Sequence, residues 1–478
     1  MFYGRESDLL ALERLYAGDK FQFPIFYGRR RVGKTSLITE FLRGKKSIYY
    51  AATEQNKKAA LEGFSEKVFE VYPEGKPYVD AFRDWRSAFE YIVSQAKNER
   101  IIVAIDEYPY LVQADISISS VLQAVIDTKM LNSRIFLILC GSSMSFMENQ
   151  VLGYKSPLYG RRTAQFKVKP FDYYESGRFF QNCSPEEKIT AYSIAGGIPQ
   201  YLQILSEGGS LHESIVDNLF TVTGHLFEEP SSILKQELRE PAVYNSIIAA
   251  IAQGSTKLNE IATKTGEETN KCGKYLKSLF DLRIVEKQLP ITEDSQRSGI
   301  YKLSDNLFRF WYKYVLPCMA MIESGNGESA FKMRVLPTIN EYIGGIFEEC
   351  AISYIWRCAG FDLLPIDVHN VGRWWGNDPV AKRQRELDFV AVGDNAAIFG
   401  ECKWRNEPQG LAVLADLVDK SQLLKKFKEK HYMIFSKSGF TGGLLAEAKK
   451  LGNIRLLTPD DMFFGEIGIA DGGTVHPS

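Results

Sequence analysis

Residues 28–35 read Gly-Arg-Arg-Arg-Val-Gly-Lys-Thr, which fits the pattern G-x-x-x-x-G-K-[S/T] at every fixed position. An apolar run at residues 23–27 comes before this stretch, and residues 36–42 after it have helical periodicity. A strand that leads through a glycine-rich loop into a helix turns main-chain N–H groups and the positive end of the helix toward phosphate oxygens. The stretch therefore predicts a phosphate-binding loop in an α/β fold.

The side chains of this loop predict a site for ATP and Mg²⁺. Lys34 is expected to reach the β- and γ-phosphates, and the Thr35 hydroxyl is expected to bind Mg²⁺. The three arginines are expected to point outward, because such loops hold phosphate through main-chain donors. The residues predicted to contact the nucleotide here are Gly28, Arg29, Arg30, Arg31, Val32, Gly33, Lys34, Thr35 and Ser36.

A second apolar run, residues 101–105, ends in the carboxylates Asp106 and Glu107. Asp106 is expected to hold the Mg²⁺ shell, directly or through water, and Glu107 is expected to act as the general base that polarises the attacking water. The loop and the acidic pair follow alternating strands in the order that an ATP site requires. The sequence therefore predicts ATP hydrolysis with Lys34 and Glu107 as catalytic residues.

Two further groups of polar residues leave alternatives open. Ser142 and Ser143 follow another apolar run. One of them either senses the γ-phosphate or orients water, or the two simply cap the next helix. Arg161 and Arg162 follow a glycine in a polar loop. An arginine there either reaches the ATP of a neighbouring subunit or is an ordinary solvated cation. The pattern alone does not decide either question.

The chain of 478 residues is too long for one hydrophobic core, and it divides into three regions. Strand and helix runs alternate over residues 1–205, which predicts a parallel sheet with helices on both faces. Residues 206–325 are mostly helical, and residues 326–478 mix both element types. The Gly-rich tail from residue 465 is predicted to be loose.

The middle region has the element order of a winged helix-turn-helix. Lys271, Lys274 and Lys277 lie along one side of its third helix, which is compatible with DNA phosphates but is equally expected of a solvated helix face. The elements predicted are helices at 242–253, 258–264 and 268–282, then strands at 283–288 and 299–303 around a polar loop at 292–298.

Composition narrows the classes of function. The formal net charge of −1 gives no global sign of nucleic-acid or membrane binding, although it would average away a local basic face. The start lacks the apolar core of a signal peptide and the longest apolar runs are strand-sized, so a cytoplasmic protein without a membrane partner is predicted. The seven cysteines form no CxxC pair and suit buried thiols in a reducing compartment.

Two short stretches resemble a known family. Residues 2–10, Phe-Tyr-Gly-Arg-Glu-Ser-Asp-Leu-Leu, resemble the opening of archaeal-type ATPases in the STAND branch of the AAA+-related P-loop proteins. Residues 196–202, Gly-Gly-Ile-Pro-Gln-Tyr-Leu, resemble the GGxPxYL motif in the small helical lid of that family. With the phosphate-binding loop and the acidic strand, the resemblance covers about residues 1–205.

The resemblance implies further nucleotide-site residues. It places Gly4, Arg5 and Glu6 near the adenine. It places the turn that contains Pro199 near the phosphates, where the turn couples the position of the lid to the nucleotide state. Asp8 stands where the family pattern usually has glutamate. Members of the family commonly carry a winged helix and then a C-terminal domain.

The C-terminal region resembles a PD-(D/E)XK nuclease-type, restriction-endonuclease-like domain. Glu401 and Lys403 end an apolar strand two positions apart, so both side chains point to the same face. Asp388 lies on the preceding strand, and a tight turn at residues 393–395 brings it opposite Glu401 or its neighbour. The elements predicted are helices at 340–357 and 411–430 and strands at 386–392, 396–403 and 431–435.

These residues suit metal-assisted cleavage of a phosphodiester. Glu348, Asp388 and Glu401 are the predicted Mg²⁺ ligands, with Glu348 on the helix that precedes the strands. Asp388, Glu401 and Lys403 are the predicted catalytic residues, and the lysine positions water or stabilises developing charge. A surface hairpin with an ordinary cross-strand ion pair is the alternative.

The predicted function is an ATP-binding, Mg²⁺-dependent ATPase that works as a nucleotide-driven switch. Its output is a C-terminal domain that binds DNA or RNA or cleaves it. The alternative is an ATP-binding regulatory or scaffold protein, whose inactive nuclease-like domain holds a protein or DNA partner. Assembly into a homo-oligomer is left open.

Overall fold

The computed structural model describes residues 3–76, 78, 80–96, 99–291, 299–379 and 381–465. The chain forms two compact units. One contains the residues up to Pro170 together with Ile198–Gln200, and the other contains Phe171–Gly197 and the residues from Tyr201 onward. The predicted domain boundaries at residues 205 and 325 stay predictions. The predicted loop at 292–298 and the tail after residue 465 lie outside the described residues.

A fully parallel five-stranded sheet forms the centre of the first unit, as the strand and helix alternation predicts. Its spatial order is β2-β3-β4-β1-β5. Every residue of the third and fourth strands is buried, since both faces of the sheet are covered. The strands are β1 (Pro24–Tyr27), β2 (Ser47–Ala51), β3 (Ile101–Asp106), β4 (Ile135–Gly141) and β5 (Ala164–Lys167).

The helices of the first unit build its hydrophobic core against this sheet. Phe64, Trp85 and Phe89 contact one another there. The ring centroid of Phe64 lies 5.4 Å from that of Trp85 and 5.6 Å from that of Phe89. Burial of a large apolar side chain contributes roughly 1.5–3 kcal/mol. The helices are α1 (Glu6–Ala17), α2 (Lys34–Leu42), α3 (Lys57–Val71), α4 (Trp85–Gln95), α5 (Tyr108–Ala114), α6 (Ile118–Thr128) and α7 (Met144–Phe146).

The order of the strands positions the polar residues of the first unit. Strands β3, β4 and β1 are neighbours and run parallel, so their carboxyl ends meet at one edge of the sheet. The phosphate-binding loop follows β1, the acidic pair ends β3, and Ser142 follows β4. Ligands of open parallel sheets bind outside this edge.

The middle of the chain contains the predicted helices and strands in the predicted order. Strand β6 pairs antiparallel with β7, and Val285 lies opposite Leu303. The identification of these elements as a winged helix stays a prediction. The elements from residue 171 are α8 (Tyr173–Gly177), α9 (Pro185–Ala195), α10 (Pro199–Ser206), α11 (Leu211–Leu219), α12 (Glu229–Glu237), α13 (Pro241–Ala252), α14 (Leu258–Thr265), α15 (Thr269–Asp281), β6 (Val285–Gln288) and β7 (Ile300–Leu303).

The C-terminal part contains a mixed five-stranded sheet in the order β12-β11-β10-β9-β8. Strands β8, β9 and β10 pair antiparallel, and β10, β11 and β12 pair parallel. The elements are α16 (Asn306–Phe310), α17 (Met319–Glu323), α18 (Gly327–Ala330), α19 (Ile339–Gly360), β8 (Asn370–Asp378), β9 (Arg383–Val392), β10 (Ala396–Lys403), α20 (Leu411–Ser421), β11 (Glu429–Ser436), α21 (Gly442–Leu451), β12 (Ile454–Leu457) and α22 (Pro459–Phe464).

The helix predicted at 411–430 is too long, because α20 ends at Ser421 and β11 begins at Glu429. Between them the chain turns so that Leu424 and Phe427 enter the core. Strand β11 then lies beside β10, with Glu429 paired to Ala396.

Among the described residues, no helix combines the length and the apolar character needed to span a bilayer.

Candidate functional site

The conformation of the phosphate-binding loop requires its two glycines. A β-carbon on Gly28 would lie 2.3 Å from the carbonyl oxygen of Val168, which is far inside van der Waals contact. Gly33 has φ +87° at the start of α2, a region that favours glycine. The pattern at residues 28–35 therefore reflects a real backbone requirement and not a chance match.

Lys34 is a buried cation inside the loop. Its Nζ donates to the carbonyl oxygens of Gly28 at 3.0 Å and Arg29 at 2.8 Å. Burial lowers the pKa of Lys34 from its ordinary value, although the nearby carboxylates of Glu107 and Asp106 oppose the shift. A phosphate oxygen offers this ammonium a charged acceptor, which binds more strongly than a carbonyl oxygen.

Asp106 and Thr35 come together as predicted. The Thr35 hydroxyl donates to Asp106 Oδ2 at 2.6 Å, and the Glu107 main-chain N–H donates to Asp106 Oδ1 at 2.9 Å. Because the Thr35 hydroxyl donates its hydrogen bond to Asp106, the lone pairs of its oxygen remain for a cation. A hydroxyl oxygen beside a carboxylate is a donor set that fits Mg²⁺.

Ser142 holds the predicted general base. Glu107 Oε2 accepts hydrogen bonds from the Ser142 N–H at 3.1 Å and from the Ser142 hydroxyl at 2.9 Å. Glu107 has φ +51° and stands just before α5, so its backbone is held in the left-handed region. The sequence left the role of Ser142 open, and the structure makes it a partner of Glu107.

Arg5 connects the opening segment to the loop. Its guanidinium donates to the carbonyl oxygens of Val32 at 3.1 Å and Lys169 at 2.6 Å. Gly4, with φ +68°, is buried beside it, and Glu6 begins α1 as an exposed residue. Arg5 therefore supports the backbone of the phosphate-binding loop. Contact of these residues with adenine stays a prediction.

The remaining residues of the predicted nucleotide site are more exposed. Arg30 and Ser36 are exposed, and the Arg30 guanidinium donates to the Tyr110 hydroxyl at 3.4 Å. Arg29 and Arg31 are half-buried, so the expectation that all three arginines point outward fits Arg30 best.

Pro199 lies beside the loop, as the resemblance implies. A β-carbon on Gly33 would lie 3.6 Å from Pro199 Cγ. Both residues belong to the first unit, although the residues on either side of Ile198–Gln200 belong to the second. The coupling of this turn to the nucleotide state stays a prediction.

Arg161 is engaged within its own unit. Its Nε and one terminal nitrogen donate to the two carboxylate oxygens of Asp127 at 2.7 and 2.6 Å. The other terminal nitrogen donates to the carbonyl oxygens of Pro157 and Tyr159. A guanidinium held by four hydrogen bonds disfavours a role for Arg161 toward a neighbouring subunit. Arg162 is exposed.

The predicted C-terminal residues lie close together on adjacent strands. Phe389 pairs with Gly400, so Asp388 and Glu401 each lie one residue beyond this pair, which agrees with the prediction that Asp388 lies opposite Glu401 or its neighbour. Asp388 Oδ2 accepts a hydrogen bond from the Cys402 N–H at 2.7 Å. Burial and the neighbouring Glu401 raise the pKa of Asp388 to about 6.

Two lysines occupy both carboxylate oxygens of Glu401. Lys403 donates to Oε1, and Lys420 from α20 donates to Oε2 at 3.1 Å. Burial alone would lower the pKa of Lys403, but the adjacent Glu401 carboxylate raises it. Lys420 also pairs with Asp416 at 2.7 Å. The Glu401 and Lys403 side chains therefore lie on the same face, as their spacing predicts, and Lys420 joins them there.

Glu348 faces the same cluster from α19. Burial and the nearby Asp388 raise the pKa of Glu348 to about 8, although Arg373 pairs with Glu348 Oε2 at 3.2 Å. Glu348 and Lys403 line an open cavity of about 460 Å³ that Trp404 also borders. In the part of the chain that the structure describes, no three His, Cys, Asp or Glu side chains are arranged to hold a metal ion. Ligation of Mg²⁺ by Glu348, Asp388 and Glu401 stays a prediction.

Three residues of these two sites were not predicted. The Tyr49 hydroxyl donates to Asp106 Oδ2 at 3.0 Å, and Lys420 and Arg373 pair with Glu401 and Glu348. None of the three belongs to a motif, and each reaches its partner from a different strand or helix. Only the placement of β2, α20 and β8 in the folded chain reveals them.

The fold and the site together define an ATP-binding P-loop ATPase. The model of an ATPase domain found predominantly in Archaea matches residues 2–205. A second family model, described as "Archaea bacterial proteins of unknown function", matches residues 311–415.

Relatives with similar sequences come from Methanocaldococcus jannaschii. An uncharacterised protein of this organism is 31% identical over 468 residues, which cover 96% of this chain and 100% of that protein. An uncharacterised ATP-binding protein of the same organism is 52% identical over 46 residues, or 10% of this chain and 78% of that protein. The chain belongs to the same family as the first of these proteins, with the archaeal ATPase domain at its start.

Two solved structures are among those to which this chain is similar. The Walker-type ATPase of Pyrococcus abyssi has a TM-score of 0.49 and 19% identity, and the match covers 65% of this chain and 96% of that one. The Aeropyrum pernix ORC2 protein has a TM-score of 0.45 and 13% identity, with 67% and 94% covered. At these values neither structure bears on the function of this chain.

Proposed function

We propose that this protein is a Mg²⁺-dependent ATPase that works as a nucleotide-driven switch on its own C-terminal domain. The observation that carries the ATPase part is the cluster at one edge of the parallel sheet. There the buried Lys34, the bonded pair Thr35 and Asp106, and Glu107 meet around the phosphate-binding loop. A cation, an Mg²⁺ donor set and a base are the parts that phosphoryl transfer to water requires.

Each residue of this site has one task in the proposal. Main-chain N–H groups of the loop and Lys34 bind the β- and γ-phosphates and offset their charge. Thr35 and Asp106 would hold Mg²⁺, directly or through water, and the bound ion would offset the negative charge that develops on the phosphates. Glu107 orients and deprotonates the attacking water, and Ser142 keeps its carboxylate in place.

The assignment of the lid residues supports the switch. The lid segment Phe171–Gly197 ends just before Pro199 of the Gly-Gly-x-Pro turn. It belongs to the same compact unit as the C-terminal sheet. Within this unit Arg357 pairs with Asp172 at 2.9 Å, and the Tyr342 hydroxyl donates to the Ser193 carbonyl at 2.8 Å. Helices α8 and α9 are therefore bonded to α19, so a displacement of the lid carries α19 with it.

Helix α19 links the lid to the C-terminal carboxylates. Glu348 lies on α19 and faces Asp388, whereas Tyr342 and Arg357 of the same helix hold the lid segments. We place metal-assisted phosphodiester cleavage at Glu348, Asp388, Glu401 and Lys403, with DNA or RNA as the substrate. The nucleotide state of the first site would then change the position of Glu348 at the second.

One observation favours a second candidate, a regulatory protein whose nuclease-like domain is inactive. Lys403 and Lys420 neutralise both oxygens of Glu401, and Arg373 pairs with Glu348. A divalent cation has to displace these pairs before it can bind both carboxylates. In this candidate the domain binds a protein or DNA partner, alone or as a homo-oligomer, and cleaves nothing.

A cleavage assay separates the two candidates. Plasmid and single-stranded DNA are incubated with Mg²⁺, with and without ATP. The wild type is compared with Lys403→Ala, Lys34→Ala and the surface control Lys450→Ala, whose exposed side chain pairs with Glu447 on the same helix. Loss of cleavage in Lys403→Ala and altered cleavage in Lys34→Ala, with Lys450→Ala unchanged, support the nuclease switch. ATP turnover without cleavage under any condition excludes the nuclease and leaves the regulatory candidate.

A further inference from the structure

Tyr49 lies on the strand next to the acidic strand and reaches Asp106. Strand β2 pairs parallel with β3, and Ala51 lies beside Asp106, two residues beyond Tyr49. The Tyr49 hydroxyl donates to Asp106 Oδ2 at 3.0 Å. The next residue, Tyr50, points to the other face of the sheet, where its hydroxyl donates to the Ala60 carbonyl at 3.1 Å.

Asp106 Oδ2 is saturated by the two hydroxyl groups. Thr35 donates to it at 2.6 Å and Tyr49 at 3.0 Å, and a carboxylate oxygen has two lone pairs in the plane of the group. Oδ1 accepts from the Glu107 N–H, and the buried Cys140 thiol also interacts with this carboxylate. With both lone pairs of Oδ2 engaged by the two hydroxyls, this oxygen has none left for direct contact with a metal ion.

We propose that Tyr49 is a positioning residue for the Mg²⁺ that accompanies the nucleotide, an inference that rests on the proposed ATP site. By donating a hydrogen bond to Oδ2, Tyr49 keeps the Asp106 carboxylate in the orientation in which it accepts the hydrogen bond from the Thr35 hydroxyl. Thr35 then presents its lone pairs to the metal without rearrangement. Only 4% of Asp106 is exposed, so loss of a donor also leaves a buried carboxylate less well stabilised.

The variant Tyr49→Phe tests this inference, with Tyr50→Phe as the matched control on the same strand. ADP binding is measured by calorimetry twice, in EDTA and in Mg²⁺. The ratio of the two affinities is the contribution of the metal. In Tyr49→Phe this ratio is expected to fall about tenfold, the effect of losing one hydrogen bond to a charged group. The affinity in EDTA and both affinities of Tyr50→Phe are expected to stay within about twofold of wild type.

A general loss of structure is distinguished from lost positioning, because it lowers ADP affinity in EDTA as much as in Mg²⁺. An unchanged or increased ratio in Tyr49→Phe overturns the inference. A wild type whose ADP affinity does not respond to Mg²⁺ overturns the proposed ATP site itself.

A measurement on the wild type needs no variant. Mn²⁺ and ADP are bound to protein labelled with ¹³C-carboxylate aspartate, and the electron-nuclear coupling is recorded. The inference predicts the weak coupling of a water-separated carboxylate. A strong coupling, which shows a directly bound aspartate, overturns the commitment of Oδ2 to Tyr49 and Thr35.

Discussion

Ser142 donates both its main-chain N–H and its hydroxyl to one carboxylate oxygen of Glu107, at 3.1 and 2.9 Å. The two residues directly follow the neighbouring parallel strands β4 and β3. The serine therefore fixes the direction of the proposed general base from the side. The order of the strands in the sheet therefore determines which side chain holds the proposed base.

Ser142→Ala is expected to lower kcat for ATP hydrolysis about tenfold, because one of two hydrogen bonds that orient the base is lost. The affinity for ATP is expected to stay unchanged, since the Ser142 hydroxyl donates to the proposed base, Glu107. The matched control is Ser143→Ala, whose hydroxyl makes no cap hydrogen bond to α7. A rise in kcat of Ser142→Ala would show that the serine restrains Glu107 and does not orient it.

Arg5→Lys is expected to weaken ATP binding several-fold. The Arg5 guanidinium donates to the carbonyl oxygens of Val32 and Lys169, so it ties the phosphate-binding loop to the segment after β5. A lysine keeps the charge but lacks the forked donors needed for both contacts. Fluorescent ADP titration measures the effect, with the exposed Arg14→Lys on α1 as the control. Equal affinities of the two variants would remove Arg5 from the site.

The ATP site was largely predictable because most of its polar residues belong to two short contiguous motifs. The loop is continuous from Gly28 to Thr35, and Asp106 and Glu107 directly end a buried strand. A motif of this kind requires only that the flanking strand and helix form. The contacts of Tyr49 and Ser142 depend on which strands are neighbours, and the sequence does not state the order of strands in a sheet.

The C-terminal site was predictable only where a short turn sets the register. The turn at residues 393–395 predicts that Asp388 lies opposite Glu401 or its neighbour, and the observed pair of Phe389 with Gly400 agrees with this register. Strand β8 was missed because Gly372 and Gly376 interrupt its alternating pattern. Lys420 of α20 pairs with Glu401, and Arg373 of β8 pairs with Glu348. Because these partners come from separate elements, a local sequence pattern does not predict the two pairs.

The Gly-Gly-x-Pro turn is expected to be intolerant of a side chain at Gly197. A β-carbon there would lie 1.8 Å from the carbonyl oxygen of Phe171, whose N–H donates to the Gly197 carbonyl at 2.8 Å. Backbone cannot yield as a flexible side chain does, so Gly197→Ala is expected to lower the free energy of unfolding by about 2 kcal/mol or more.

Gly273→Ala is the opposite case and serves as the control for Gly197→Ala. Gly273 lies inside α15, and a β-carbon there meets nothing within 4 Å. Alanine in a helix interior is more favourable than glycine by about 1 kcal/mol. Urea denaturation followed by circular dichroism measures both variants. A Gly197→Ala protein as stable as wild type would contradict the close approach of Phe171.

Glu348 and Glu349 are adjacent on α19 but are expected to affect stability with opposite signs. Burial and the nearby Asp388 raise the pKa of Glu348 to about 8. Burial alone would also raise the pKa of Glu349, but the cations of Arg309 and Lys302 lower it to about 2. In the unfolded chain both side chains return to an ordinary glutamate pKa of about 4.3.

The raised pKa of Glu348 means that its contribution to stability is complete below the unfolded pKa and is lost as pH rises toward 8. Glu348→Gln is therefore expected to gain stability relative to wild type as pH rises from 5 to 8, by up to about 1.4 kcal/mol per pH unit. The lowered pKa of Glu349 gives stability that is complete above the unfolded pKa and is lost only as pH falls toward 2. Glu349→Gln is expected to be less stable than wild type, and the difference in the free energy of unfolding is expected not to change with pH between 5 and 8.

Urea denaturation in EDTA at several pH values, followed by tryptophan fluorescence, measures both variants. Every tryptophan except Trp85 lies beyond residue 170, so the signal reports mainly on the second unit. A stability difference for Glu348→Gln that does not change with pH would show that Glu348 is ionised throughout this range. Its pairing with Arg373 would then outweigh burial and the repulsion from Asp388, and the carboxylate would be ready to bind a cation at neutral pH.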